Sequence, residues 1–229
     1  MTDTLQKPHY TGHRKRLRER FLQAGPEALA DYELLEMILF PAKPMGDVKP
    51  MAKDLIKAFG SFGQVLFADP IELLKVEGVN DAAVVAIKVV KAASERLLRE
   101  EIIDKPVIKS WTQLIDYCRI HIGNNPIEEF HLLFLNQKLE LMLHERQQTG
   151  TVNHTPIYPR EVAKRALEIG ASSLILVHNH PSGDVTPSKA DVEMTKLIVA
   201  AVRPLGIEVH DHVIIGAKKH YSFKDKGIL

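Results

Sequence analysis

Apolar residues in the N-terminal part of the chain recur at three- and four-residue spacing. Leu29, Tyr32, Leu34, Leu35, Ile38 and Leu39 do so behind Gly25-Pro26, and the segment from about Thr11 to Glu101 reads almost wholly as helix. The pattern changes near Phe130. Phe130-His-Leu-Leu-Phe-Leu135 and Leu139-Glu-Leu-Met-Leu-His144 are short apolar runs on either side of Asn136-Gln137-Lys138, which predicts a hairpin. The stretch from Pro159 to Gly170 has proline at a first helical position, Glu161 in the first turn and glycine just past the end, the marks of one short helix. Ser173-Leu-Ile-Leu-Val177 is a buried-strand pattern that runs straight into His178. A further helix is expected from about Lys189 to Arg203, and Ile207 to Gly216 returns to strand character.

Hairpin, helix, strand, helix, strand is the order of a mixed α/β domain built on a sheet. The expected organisation is therefore α+β, with a helical domain over residues 1–103 and a mixed-sheet domain over 104–229. Asp104-Lys105-Pro106 is the expected linker, because proline must stop the long helical run that begins near Asp81.

At 229 residues and 45% hydrophobic content, the chain has ample material for buried cores. Thirty Lys and Arg stand against 29 Asp and Glu, so no global field points to nucleic acid or an anionic membrane, and such a partner has to be argued from local patches. The single cysteine, Cys118, excludes an intramolecular disulfide and reads as a small core hydrophobe in a reducing compartment. Met1 to Lys7 holds no apolar stretch behind a basic start, and runs such as Leu174 to Val177 are too short for a bilayer. A soluble, cytoplasmic protein is expected.

The chemistry concentrates in His178-Asn-His-Pro-Ser-Gly-Asp-Val-Thr-Pro-Ser-Lys-Ala-Asp191. Two imidazoles and a carboxylate are the ligand set of a catalytic zinc, which commonly takes three protein ligands and a water. Residues i and i+2 of an extended stretch share a side, so His178 and His180 can converge on one ion while Asn179 faces away. Pro181 to Pro187 then turns the chain, and Asp191 is the first carboxylate on the following helix. Two plainer readings compete. Ser188 and Asp191 form a good capping box, and Asp184 is a turn residue after Ser182-Gly183.

The combination resembles the JAMM signature of the JAB/MPN metalloprotease family, His-x-His followed after seven residues by Ser and after two more by Asp. Here Pro181 through Pro187 are the seven, and Lys189 and Ala190 the two. More of the chain is similar to the RadC-like bacterial branch of that superfamily. The similarity is carried by Gly25-Pro-Glu-Ala-Leu-Ala-Asp31-Tyr-Glu-Leu-Leu35, Phe59-Gly-Ser-Phe62, Gly150-Thr-Val-Asn153, Tyr158-Pro-Arg-Glu-Val162, His178 to Asp184 and Ser222-Phe223. The resemblance implies a C-terminal JAB/MPN domain, a curved, cytidine-deaminase-like mixed sheet flanked by helices. It implies one Zn²⁺ held by His178, His180 and Asp191, with Glu145 as the base that activates water and Ser188 as donor to the oxyanion. Glu140 and Glu161 are weaker competitors for the base. His154, His210 and His212 are candidate extra ligands with an ordinary packing role as the alternative, and Asp184 is a candidate to orient a histidine from behind.

His13-Arg-Lys-Arg-Leu-Arg-Glu-Arg20 is a basic patch in which Arg14, Lys15 and Arg16 could meet phosphates or simply solvate a helix face. Leu74-Lys-Val-Glu-Gly78-Val-Asn80-Asp81 resembles a helix-hairpin-helix, whose backbone amides can bind a DNA phosphate. Asn80 replaces the usual second glycine and brings a side chain to the phosphate position. Three functions follow as expectations: a zinc-dependent, metallopeptidase-type hydrolase of an amide or isopeptide bond in a peptide or protein substrate, a DNA-associated protein with a repair label, or a non-catalytic MPN scaffold. Retention of all three ligand positions favours the first.

Overall fold

The computed structural model describes residues 12–103, 105–149 and 157–229. His154, Asp104 and the Gly150-to-Asn153 motif lie outside the described residues. The chain divides into two compact units, residues 1–93 and 94–229.

The first unit is helical. It contains α1 (His13–Ala24), α2 (Asp31–Leu39), α3 (Lys49–Phe59), α4 (Phe62–Phe67), α5 (Pro70–Leu74) and the first turns of α6 (Asp81–Ile102). The helices start where side chains take up otherwise orphaned amides. Ser61 Oγ accepts from Gln64 N and Asp69 Oδ1 from Ile71 N at the starts of α4 and α5, and Asn80 Oδ1 accepts from Ala83 N at the start of α6. Leu35, Leu39, Leu55, Leu73 and Ile87 are fully buried in its core.

Within this unit the residues singled out for nucleic acid have specific surroundings. Arg14 donates to the carbonyl oxygens of Lys43, Pro44 and Gly46 and lies over the Phe40 ring, so its guanidinium is spent on holding the turn after α2. Lys15 is exposed beside Glu19. Gly78 takes a left-handed φ of 80°, as a hairpin between α5 and α6 requires, and Asn80 uses its side chain as the α6 cap.

The second unit begins inside α6, earlier than the linker expected at Asp104. The last turns of α6 carry Leu98 and Ile102 into the same core as Val107, and the chain after them is tied to the sheet. Val107 N donates to Leu139 O, and Pro106 bridges Glu140. Proline ends the helix as expected, but the segment around it is part of the sheet domain.

The unit continues with α7 (Trp111–Ile122), β1 (Glu129–Leu135), β2 (Leu141–Thr149), α8 (Pro159–Ile169), β3 (Ser173–Asn179), α9 (Lys189–Val202), β4 (Glu208–Ile215) and β5 (His220–Ser222). The five strands form one sheet in the order β2-β1-β3-β4-β5, with β3 and β4 parallel and the other pairs antiparallel. The expected hairpin is β1–β2. Its second strand starts at Leu141 because Leu139 sits at φ 59° in the turn, where Asn136 Oδ1 gathers the amides of Lys138 and Glu140.

Helices cover both faces. Leu133, Leu135, Ile175 and Val177 pack against α7, while Phe130, Leu132, Phe134, Leu174 and Leu176 pack against α8 and α9. This two-sided cover explains why β3 reads as a continuous apolar run rather than an alternating one. Among the described residues no helix is long and apolar enough to cross a membrane.

Candidate metal centre

β3 alternates between the two cores, so its last residues are sorted by parity. His178 follows Leu174 and Leu176 onto the α9 face, while Asn179 follows Val177 onto the α7 face. His180 lies just past the strand end, with its amide bonded to Ile215 O, and its ring returns to the His178 side. His178 Nε2 and His180 Nε2 stand 3.0 Å apart, close to the about 3.3 Å that two imidazole nitrogens keep on one tetrahedral zinc. Asp191 Oδ1 lies 3.4 Å from the first of these nitrogens and Asp191 Oδ2 lies 3.7 Å from the second.

The capping box and the expected ligand set share Asp191. Ser188 Oγ accepts from Asp191 N, and Asp191 Oδ2 accepts from Ser188 N at 2.7 Å. This reciprocal pair fixes the carboxylate rotamer at the start of α9, and Oδ1 is thereby aimed at His178. Burial works to raise the Asp191 pKa, but the neighbouring His180 and His178 imidazoles and the two Ser188 contacts outweigh it and hold the group well below the usual carboxylate range. A buried carboxylate facing two imidazoles favours positive charge at their meeting point.

Hydrogen bonding also fixes which imidazole nitrogens face that point. The Asp191 carbonyl can only accept. Thr195 Oγ1 donates to it at 2.5 Å and must therefore accept from His212 Nδ1–H at 2.6 Å. His212 Nε2 is then a lone pair, and it accepts from His178 Nδ1–H at 2.8 Å. His178 Nε2 is left as a lone pair facing His180 and Asp191. Burial pushes the His178 pKa down to about 4 and that of His212 well below the ordinary imidazole value, so both rings are neutral near pH 7. His180 Nδ1–H donates to the Asp184 carbonyl at 2.6 Å, which turns its own Nε2 lone pair inward.

The fourth member of the cluster is Glu128. One ligand atom each of Glu128, His178, His180 and Asp191 lie within 4.8 Å of one another. Glu145, the base that the family pattern suggested, stands outside this group. Its carboxylate is held from two sides by Arg165 Nε and NH2 of α8, and that contact depresses its pKa. The strand order supplies the reason. β2 is an edge strand separated from β3 by β1, and Glu145 lies opposite Leu132, whereas Phe130 lies opposite His178. Glu128, at the mouth of β1, therefore arrives beside the end of β3.

Asn179, the middle residue of His-x-His, makes that arrival possible. Its Oδ1 accepts from Glu129 N at 2.8 Å, and its Nδ2 donates to Asn125 O and Ile127 O, each at 3.1 Å. The fully buried amide thus pins the loop before β1 on which Glu128 sits. Nothing in the sequence pattern marks this role, though an Asn between two histidines at the end of a strand buried on both faces has to find partners.

The remaining candidates fall elsewhere. Glu140 bonds Asn136 in the hairpin turn, and Glu161 pairs with Arg160. His212 stands behind His178, and His210 contacts Lys224. Asp184 does orient a histidine, but through its backbone carbonyl. Its carboxylate accepts from Thr186 N and Oγ1.

A sheet with helices on both faces and a His-x-His, Ser, Asp constellation at the end of its central parallel pair defines a JAB-type protein, and comparison with known families agrees. Residues 108–228 match the RadC-like JAB domain family, and residues 10–85 match the UPF0758 N-terminal family. The chain belongs to the UPF0758 family of RadC-like JAB proteins. It is 54% identical over 213 residues to a UPF0758 protein from Rhodobacter capsulatus, covering 93% of this chain and all of that relative.

Proposed function

We propose that this protein is a zinc-dependent hydrolase of amide or isopeptide bonds in a peptide or protein substrate. His178, His180 and Asp191 would hold the ion and Glu128 would act as the base. The observation that carries the reading is the convergence of these four side chains at one point, with the two imidazole lone pairs turned inward by separate hydrogen bonds. Zinc bound there supplies a Lewis acid and lowers the pKa of a coordinated water from ~15.7 to about 7.

The protein's own groups do the rest. Glu128 takes a proton from the attacking water and returns it to the leaving amine, replacing Glu145 in that role. Ser188 Oγ already accepts from Asp191 N, so its hydroxyl proton is the part it can offer to the oxygen of the tetrahedral intermediate. Loss of one such donor typically costs roughly 3 kcal/mol of barrier.

The test is elemental analysis of the tag-free chain together with hydrolysis of a panel of peptide and isopeptide substrates. One zinc lost in His178→Ala/His180→Ala, with Glu128→Gln keeping its metal but losing at least about 100-fold in rate, is the expected result. A folded chain that takes up no zinc at His178 and His180, or hydrolysis that survives Glu128→Gln, overturns the reading. The DNA-associated alternative loses support from Arg14, whose guanidinium is engaged by four carbonyl oxygens.

A further inference from the structure

A second set of imidazoles lies on the opposite face of the same sheet. On β1, Phe130, Leu132 and Phe134 face α8 and α9, so His131 falls on the α7 face with Leu133 and Leu135. His144 of β2 lies opposite Leu133 and joins that face, and His121 is on the last turn of α7, one turn after Tyr117. Three successive elements thus bring three histidines together. One imidazole nitrogen from each of His121, His131 and His144 lies within 4.8 Å of those of the other two.

The outward nitrogens of two of these rings are anchored. His131 Nε2 lies 3.2 Å from Glu129 Oε2, and because a carboxylate only accepts, the proton sits on Nε2 and His131 Nδ1 is a lone pair. His144 Nδ1 lies 2.6 Å from the Tyr117 hydroxyl, which donates to it in the metal-free protein and can turn to accept from it when Nε2 takes a cation. His144 Nε2–H therefore donates to His131 Nδ1 at 2.9 Å, and a cation bound between the rings would take the place of that one proton. A carboxylate and a phenol behind two imidazoles are the outer partners that orient metal-binding histidines and make them better donors.

The third ring supplies an independent observation. His121 Nδ1 is buried and has no hydrogen-bond partner among the described residues. Its nearest anionic neighbour, Glu95 Oε1, is 3.6 Å away, beyond hydrogen-bond reach. A buried polar atom without a partner calls for an unseen water or ion.

We propose that His121, His131 and His144 form a second metal site, selective for a borderline divalent cation of the Zn²⁺ class and separate from the His178 centre. An all-imidazole set suits zinc, copper, nickel or iron, and disfavours magnesium or calcium, which take oxygen ligands. The rings are ready for a cation near neutral pH. Burial pushes the His131 pKa down to about 4 and that of His144 well below its ordinary value, so protons compete little. An ion there would staple α7 to the β1–β2 hairpin, next to the loop that delivers Glu128.

The test uses the full-length, tag-free chain with His178→Ala and His180→Ala, stripped with chelator and titrated with Co²⁺ while visible absorption is read. One Co²⁺ per chain with the intense bands of a four-coordinate ion is expected. It should be displaced by Zn²⁺ and weakened at least tenfold by His121→Gln. The site is refuted if this variant, with wild-type circular dichroism, binds neither ion, or if binding is indifferent to His121→Gln. Should the double substitution prevent folding, the wild type decides: two ions falling to one in His121→Gln support the site, and any count unchanged by that substitution overturns it. The two centres fail separately. A single ion lost only with His178 and His180 leaves the first centre alone, and a single ion lost only with His121 leaves the second.

Discussion

His178 Nδ1 and His212 Nε2 lie 2.8 Å apart with both rings fully buried, and Thr195 at the far side of His212 decides the direction of every proton in the chain. A residue that never touches the proposed ion therefore determines which nitrogen of His178 is offered to it. Outer partners of this kind typically contribute 10–100-fold to affinity. Thr195→Val keeps the shape and removes the hydroxyl that orients His212. Zinc affinity, read by competition with a chromogenic chelator, is expected to fall about tenfold, and further for His212→Ala. Unchanged affinity in both variants would show that the relay is incidental.

Glu128 and Glu145 separate by substitution. Glu145 shares a partly exposed ion pair with Arg165, and such pairs contribute about 0–1 kcal/mol. Glu145→Gln should leave hydrolysis within about threefold of wild type, with a stability loss inside that range, measured by urea unfolding. A large loss of rate in Glu145→Gln with Glu128→Gln active would restore the base expected from the family pattern.

Asn179 gives a prediction that splits stability from metal binding. Asn179→Ala leaves Glu129 N and two carbonyl oxygens without their partner, a cost of about 1–3 kcal/mol for buried groups. Zinc content at the His178 centre should hold while turnover drops, since the loop carrying Glu128 is released and the ligands are not. Turnover equal to wild type would separate the loop from catalysis.

Stability of the metal-free chain should fall on acidification from pH 7 to pH 5. His131 and His178 have folded pKa values pushed down to about 4 by burial, against about 6.5 when unfolded, so below pH 6.5 the unfolded chain binds more protons. Their contribution is fully present above that value and is lost as pH drops toward 4, each group accounting for about 2 kcal/mol by pH 5. His144 and His212 shift in the same direction. His180, raised chiefly by the Asp191 carboxylate beside it, works the opposite way but is outnumbered. A urea midpoint in chelator that is equal or higher at pH 5 than at pH 7 contradicts this balance.

The legible parts of the site were those in which neighbours in sequence are also neighbours in space. His178 and His180 share a side because a strand has period two, and Ser188 and Asp191 cap each other because they start one helix. That Glu145 stands outside the cluster has the complementary reason. A hairpin pattern says that two strands pair, but not which of them lies beside the third, and the order β2-β1-β3 put Glu128 at the end of β3 and Glu145 on the edge strand. The linker was set too late because proline marks where a helix stops and says nothing about which core the helix has entered.

The sequence by itself determined the element types, their order and the family, and it singled out His178, His180 and Asp191 as candidates for a metal, since all of these rest on local periodicity, capping and short motif spacing. Only the tertiary structure decided which carboxylate joins His178, His180 and Asp191, which nitrogens face inward, and that His121, His131 and His144 meet behind the sheet. Those are set by strand order and by hydrogen bonds spanning as many as 54 residues, as from Asn179 to Asn125, and no local pattern encodes a contact closed at that distance.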